Sequence, residues 1–246
     1  VGLSTSHFAH GGENSQVNVF ETDTYNLLYK FTQASGFVQG VDVSTSYVAY
    51  AGGDVSVHNI SDGSVEYTLT AANSNILGVE LSDTYVVYGT TDGNVYIHNL
   101  SDGSLEYTVT DASNIINDVA LSDTYVAYCT ISGATYVNNL SDGSLEYTLT
   151  DPSDIIEGVA LNSDFVASAV TDTDPYCYIH DLSDGSLEYR LQAGGLGNEL
   201  EDVALSKSSV GYGGANSNTY IHNLTDGSLE YTLQEANNRV VAIATA

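Results

Sequence analysis

Apolar and polar residues alternate with a period of two along most of this chain, in short runs separated by polar, glycine-containing breaks. Residues 76–109 show the pattern. Ile76-Leu77-Gly78-Val79-Glu80-Leu81 is followed, after the bend Ser82-Asp83-Thr84, by a second apolar run from Tyr85 to Thr90. Val95 and Ile97 then alternate with Tyr96 and His98, and Leu105, Tyr107 and Val109 alternate with Glu106 and Thr108. Successive side chains of a strand point to opposite faces, so each run predicts one strand and the unit predicts four. The last two form a hairpin around Asp102-Gly103. Asp-Gly between alternating segments favours a type I′ turn, with positive φ at both central positions. Such a turn pairs Leu100 with Leu105, Asn99 with Glu106 and His98 with Tyr107.

The unit recurs. HNLSDGSLEYT at 98–108 returns as HNISDGSVEYT from His58, NNLSDGSLEYT from Asn138, HDLSDGSLEYR from His180 and HNLTDGSLEYT from His222. The residue preceding each turn is Glu21, Asn59, Asn99, Asn139, Asp181 and Asn223, in steps of 38, 40, 40, 42 and 42. A period near 40 with four strands per copy predicts an all-β fold, a six-bladed β-propeller of four-stranded antiparallel blades in a single domain, 1–246. Six fourth strands end at Phe31, Leu69, Val109, Leu149, Leu191 and Leu233. Residues 1–31 supply strands two to four of one blade, and residues 239–246 read as a first strand. The expected closure has that C-terminal strand pairing into the N-terminal blade, which leaves only short outer edges. Glu66, Glu106, Glu146, Glu188 and Glu230 lie one per outer strand, where charge discourages edge-to-edge association.

With this arrangement the chain resembles the WD40-like and quinoprotein-like β-propeller repeat families. The resemblance runs through DGNVYIHNLSDGSLEYT (92–108) and its copies and covers nearly the whole sequence. His58-Asn59, His98-Asn99 and His222-Asn223 stand where WD40 proteins end the third strand with Trp-Asp. The family's internal Asp-His-Ser-Trp network is therefore not carried over.

Charge changes the picture of possible partners. Thirty-two acidic residues face four basic ones, for a formal charge of −28, which disfavours nucleic acid and anionic membranes. Acids are spread through every repeat. That predicts a protein adapted to molar salt, where the screening length falls to about 3 Å, and it resembles the proteins of haloarchaea and their viruses. No run approaches the ~18 apolar residues of a membrane span, so no membrane insertion is expected.

Few residues suggest chemistry. His58, His98, His180 and His222 share one repeat position, more than ~10 Å apart in a six-fold arrangement, whereas zinc holds ligands at about 2 Å. They are expected to pack beside tyrosine, with no metal and no cofactor. Tyr29, Tyr67, Tyr107, Tyr147, Tyr189 and Tyr231 recur in register and are expected to pack between blades. Cys129 and Cys177 are expected to be buried, unpaired thiols. No nucleophile-elbow, zinc-protease or phosphate-loop signature is present, which points away from an enzyme. Asn59, Asn99, Asn139 and Asn223 each begin an Asn-x-Ser/Thr sequon and are candidate glycan acceptors, although the turn itself favours Asn there.

Variation is concentrated in two sets of connections. The SDGS-like and LSDTY-like turns barely change, while the fourth-to-first and second-to-third connections differ in every copy. Constant scaffold with variable loops at one end is the pattern of a recognition surface. The candidate partner-binding residues are Asp172, Asp174, Asn198, Glu199, Asn216 and Asn218, from the longest loops. The expected function is a rigid, non-catalytic interaction or adhesion module that binds a protein or a surface glycan. Its expected setting is the surface of a haloarchaeal cell or virion, within a larger assembly or longer chain. A lectin-like propeller and a hydrolase or lyase with its centre at the ring mouth are the alternatives, and a cytoplasmic location in a halophile stays open.

Overall fold

Among the described residues twenty-four strands form six four-stranded antiparallel sheets, each with its strands in chain order. The computed structural model describes all residues except 13, 153, 172–174, 193–198, 216–217, 235–239, 241–242 and 245–246. The sheets span residues 2–31, 40–69, 76–109, 116–149, 156–192 and 200–233. This is the all-β, six-sheet architecture that the repeat predicts. Among the described residues no helix is long and apolar enough to cross a membrane.

The chain forms two compact units, Val1–Ile116 with the first three sheets and Asn117–Thr245 with the last three. Within the first unit, one apolar cluster joins Val17, Val19 and Phe31 of the first sheet to Val41, Val48 and Ile60 of the second. Another joins Val55, Val57 and Leu69 to Ile76, Val86 and Leu100 of the third. In the second unit Val137 and Leu149 pack with Ile156, Val166 and Leu182, and Ile179 and Leu191 pack with Leu200, Val210 and Leu224. Within each unit, the same alternating positions thus fill the spaces between consecutive sheets. A fully buried side chain of this size contributes roughly 1.5–3 kcal/mol.

The hairpin register differs from the expectation. Ile97 faces Tyr107 and His98 faces Leu105, so Glu106 is an extra residue in a bulge. The same irregularity recurs at Val57/His58, Val137/Asn138, Ile179/His180 and Ile221/His222. The outer-strand glutamates are thus bulge residues, and a bulge twists an edge strand away from pairing.

The turn also differs. In it only Gly103 has positive φ (72°), and the Gly103 N–H donates to Asn99 O at 2.8 Å while the Asn99 N–H donates to Ser104 O at 2.9 Å. The loop is therefore a residue pair longer than a type I′ turn. Its shape is set by side chains. Asn99 Oδ1 accepts the Ser101 N–H, and Asp102 Oδ1 accepts both the Ser104 N–H and its hydroxyl, at 2.9, 2.9 and 2.6 Å. Two nested Asx turns and one left-handed glycine explain the repeated letters Asn-x-Ser-Asp-Gly-Ser.

A third difference lies at the N-terminal sheet. Its first strand, expected from residues 239–246, is Gly2–Leu3, paired with Ala9 and Phe8. Of 239–246, the described residues Val240 and Ile243 bond elsewhere: Val240 N–H to Gly214 O at 3.0 Å and Ile243 N–H to Asp202 Oδ2 at 2.5 Å.

Candidate functional site

The second to sixth sheets each have one end closed by an Asx-x-Ser/Thr-Asp-Gly-Ser turn, where the first has Glu21-Thr22-Asp23-Thr24-Tyr25, and an opposite end formed by the unlike loops. The constant end is saturated with internal hydrogen bonds. The side-chain oxygens of Asn59, Asn99, Asn139 and Asn223 accept the N–H groups of Ser61, Ser101, Ser141 and Thr225 at 2.7–2.9 Å. These four sequon asparagines are all half-buried in their turns. Asp62, Asp102, Asp142 and Asp226 hold the serine two residues on, and those hydroxyls keep their carboxyls below the usual range.

Behind these turns the histidines pack beside tyrosine, as expected, but a different tyrosine. His98 Nε2 lies 2.9 Å from the Tyr88 hydroxyl and Nδ1 lies 3.1 Å from Gly103 O. A carbonyl only accepts, so Nδ1 carries the proton and Nε2 accepts from the phenol. Tyr50–His58–Gly63 and Tyr212–His222–Gly227 repeat the chain of bonds. Burial pushes the Tyr50, Tyr88 and Tyr212 hydroxyls up and the His58 and His98 imidazoles down. The pairs are neutral structural bonds, and no group of three or more His, Cys, Asp or Glu able to hold a metal occurs among the described residues.

Four of the recurring outer tyrosines, Tyr29, Tyr67, Tyr147 and Tyr189, pack against the turn glycine of the next sheet, whereas Tyr231, expected to do the same, is 61% exposed. Tyr67 lies against Gly103 of the next sheet's turn and its hydroxyl donates to Leu100 O at 3.1 Å. Tyr147 does the same with Gly185 and Leu182 O. A Cβ at Gly103 or Gly185 would stand 2.5 or 2.6 Å from the tyrosine Cδ1, so glycine is required there for contact as well as for φ.

The fifth sheet departs from the repeat. Ser168 stands where the other sheets place Tyr50, Tyr88 and Tyr212, and its hydroxyl lies 2.8 Å from Thr135 Oγ1. Without the phenol, His180 Nε2 meets Asp151 Oδ2 at 2.8 Å, and Asp151 comes from the loop between the fourth and fifth sheets. Nε2 therefore donates here, and the buried Nδ1 has no partner among the described residues. His180 is wholly buried and Asp151 is 48% exposed, so only the carboxylate side of the pair meets solvent. On the same sheet the Arg190 guanidinium lies 3.5 Å from the centroid of the Tyr176 ring, a cation–π contact.

The loop candidates are only partly placed. Asp172, Asp174, Asn198 and Asn216 lie outside the described residues. Glu199 is exposed and its carbonyl accepts the Ala215 N–H at 2.9 Å, which ties the loop before the sixth sheet to the loop between its second and third strands. Asn218 Nδ2 donates to the Tyr220 hydroxyl at 3.2 Å on that same end. Glu199 and Asn218 therefore share one end of the sixth sheet.

Three carboxylates, Asp42 buried and Asp118 and Asp202 half-buried, escaped the sequence reading. Asp42 Oδ2 accepts the Leu81 N–H, and Asp118 Oδ2 accepts the Val159 N–H, at 2.9 and 3.0 Å. Asp202 accepts the N–H groups of Val203 and Ile243. Burial raises Asp42 to about 6, Asp118 to about 7 and Asp202 to about 6, and Asp202 adds repulsion at Asp118. Asp42 and Asp118 bond the first strand of the sheet that follows, and Asp202 bonds Ile243, beyond the sixth sheet. The signal was present: Asp118 and Asp202 replace Gly40, Gly78 and Gly158 at one repeat position on first strands. Cys129 and Cys177 are buried free thiols whose surroundings push their pKa up, so neither is a ready nucleophile.

No protein-family model matches the chain, and no curated protein matches it either. Solved structures do. A computationally designed protein, Ika8, superposes with a TM-score of 0.83 at 19% identity, over 99% of this chain and 76% of that one. The six sheets are β-propeller blades. At this identity the likeness concerns the fold alone.

Proposed function

We propose that the protein is a non-catalytic interaction module that binds its partner through the loops joining second to third strands and fourth to first strands, those of the fifth and sixth blades foremost. The observation that carries this reading is the contrast between the two ends of the second to sixth blades. One end repeats the same Asx hydrogen bonds turn after turn, while the other varies in length and residue type on the same scaffold. A rigid blade holds such loops at little entropic cost, which is how recognition loops on sheet scaffolds gain specificity.

The partner is a protein or a surface glycan, and the setting is the exterior of a halophilic cell or virion. The charge of −28 supports this by keeping the module soluble and monomeric where molar salt screens self-repulsion. The polar groups on the loop ends, Glu199 and Asn218 among them, offer acceptors and donors without a cluster of cations. The buried Asp151–His180 pair supports a structural role, because its imidazole is closed to a substrate.

Loop transplantation tests the reading. Residues 213–218 are replaced with the equally long 89–94 loop of the third blade, and 169–176 with that same loop, shorter there, with the turns untouched. Cross-linking to intact halophile surfaces and glycan arrays, both in molar salt, supply the readout. Cross-links that map to the loop ends and vanish in the transplants support the module. Cross-links that map to the Ser-Asp-Gly-Ser ends, or survive both transplants, refute it, and sugar binding lost in the transplants selects the glycan partner.

A further inference from the structure

Arg190 breaks the repeat. Across the third and fourth strands Tyr96 faces Thr108, Tyr136 faces Thr148 and Tyr220 faces Thr232, whereas in the fifth blade Tyr178 faces Arg190. Lys30 holds that position in the first blade, but it faces Asn18. One pair nearer the unlike loops, the other blades place Gln16, Asp54, Asn94, Ala134 or Asn218 where the fifth has Tyr176. The two departures meet. The guanidinium of Arg190 lies 3.5 Å from the centroid of the Tyr176 ring and 5.6 Å from that of Tyr178. The rings stand edge to face, 63° apart with centroids at 6.3 Å.

The rings are anchored, and the cation is left unspent. Tyr178 packs on the apolar cluster shared by the fourth and fifth blades, and Tyr176 is half-buried. Arg190 is exposed, as is Gln192, which faces Tyr176 across the strand pair. In a chain with 32 acidic residues, Arg190 makes no ion pair and no side-chain hydrogen bond among the described residues. A ring face engages the charge of a guanidinium and leaves the N–H groups on its edge to bond an oxyanion.

These residues sit at the loop end of the blade. Tyr176 opens the third strand and Gln192 closes the fourth, at the opposite end from the Asp181–Ser186 turn. A planar carboxylate accepts two parallel bonds from a guanidinium at about 2.7–2.9 Å. That reach is inside the ~3 Å screening length of molar salt, so direct contact holds where longer-range attraction fades. An acidic peptide would also ask for an apolar groove. Among the described residues of these two strands the exposed large apolar side chain is Leu187, at the turn end. Beside Arg190 there are a phenol and an amide instead, which suit a ring bearing hydroxyls.

We propose that Arg190, Tyr176, Tyr178 and Gln192 form a binding site for an acidic sugar, a uronate whose carboxylate bonds Arg190 and whose hydroxyls reach the Tyr176 phenol and the Gln192 amide. The site rests on the loop-end recognition reading above and names the class of glycan it takes.

Titration with tetragalacturonate in molar salt tests the site, read by calorimetry and by the side-chain NMR signals of Arg190. The methyl ester of the same oligomer keeps the rings and removes the charge, and an oligoglutamate peptide keeps the carboxylates and removes the rings. Arg190→Thr and Tyr176→Asn install the third blade's own residues and keep the fold. The expected result is saturable binding that shifts the Arg190 signals, weakened about tenfold or more by Arg190→Thr and about threefold by Tyr176→Asn, with ester and peptide at least tenfold weaker. Absence of saturable binding, binding unchanged in Arg190→Thr, or equal binding of the ester or the peptide overturns the proposal. The surface cross-links separate it from the wider reading. Cross-links that vanish in the loop transplants but persist in Arg190→Thr leave the module standing and overturn the acidic-sugar site. Cross-links that survive the transplants, with tetragalacturonate binding lost in Arg190→Thr, keep the site and overturn the loop reading.

Discussion

Replacing Gly103 with alanine isolates the contact between one blade's outer tyrosine and the next blade's turn. Gly103 has φ of 72°, and a left-handed conformation costs a non-glycine residue roughly 1–2 kcal/mol. The added Cβ would also stand 2.5 Å from Tyr67 Cδ1 and 2.8 Å from Cε1, closer than carbon atoms pack. Tyr67 must move, and its hydroxyl bond to Leu100 O at 3.1 Å is strained or lost, a further ~0.5–1.5 kcal/mol. The two together predict a loss of about 2–3 kcal/mol for Gly103→Ala. Denaturant unfolding in molar salt, followed by tyrosine fluorescence, measures it. A cycle with Tyr67→Ala separates the two causes. On the Tyr67→Ala background the contact part vanishes, so Gly103→Ala should cost only the left-handed term of about 1–2 kcal/mol. If Gly103→Ala costs under ~0.5 kcal/mol, or costs the same on both backgrounds, the turn does not act as a seat for the ring.

Other outcomes follow from named groups. Asp118 is raised to about 7, so the folded chain binds a proton that the unfolded chain releases near 4, and its contribution to stability is present below about pH 4 and lost as pH rises through about 7. Asp118→Asn keeps an acceptor for the Val159 N–H and should flatten that fall, by on the order of 2–4 kcal/mol at pH 8; a pH-independent difference from the parent would count against the burial of this carboxyl. Asp151→Ala leaves the buried His180 Nε2 without its acceptor and should destabilise the chain by about 1 kcal/mol, discounted for the half-exposed carboxylate, whereas Asp151→Asn should recover part of it in thermal melts. Lowering salt from molar to about 0.1 M lengthens the screening distance from about 3 to 10 Å, so a chain of charge −28 should melt at a clearly lower temperature, and an unchanged melt would remove the halophilic reading.

Legibility followed the range of the interaction. Strand identity, sheet count and strand order depend on alternation and on a repeat near 40 residues, both local, and the six antiparallel meanders agree with them. The packing role of the recurring tyrosines was readable for the same reason, since a contact made once per blade must recur once per period. The turn was misjudged because Asp-Gly alone suggests two left-handed residues. Asp102 instead spends its carboxylate on Ser104, and the extra residue Glu106 shifts the pairing by one. Asn-x-Ser-Asp-Gly-Ser as a whole held that information, while the dipeptide did not.

At the candidate site, sequence variation located the unlike loops, yet only Glu199 and Asn218 of the named residues have described positions. Asp42, Asp118 and Asp202 did not stand out among the acids, because charge along the sequence carries no depth. Only packing showed Asp42 and Asp118 to accept N–H groups of the next blade and Asp202 that of Ile243. The Asp151–His180 pair likewise joins residues 29 apart whose meeting depends on Ser168 leaving space. By itself the sequence determined what each blade is, since alternation and turns act between near neighbours. Tertiary structure alone decided what each buried polar group meets, because burial and pairing depend on what another part of the chain brings against a residue: His98 meets the Tyr88 hydroxyl, while His180 at the same repeat position meets Asp151 from a neighbouring loop.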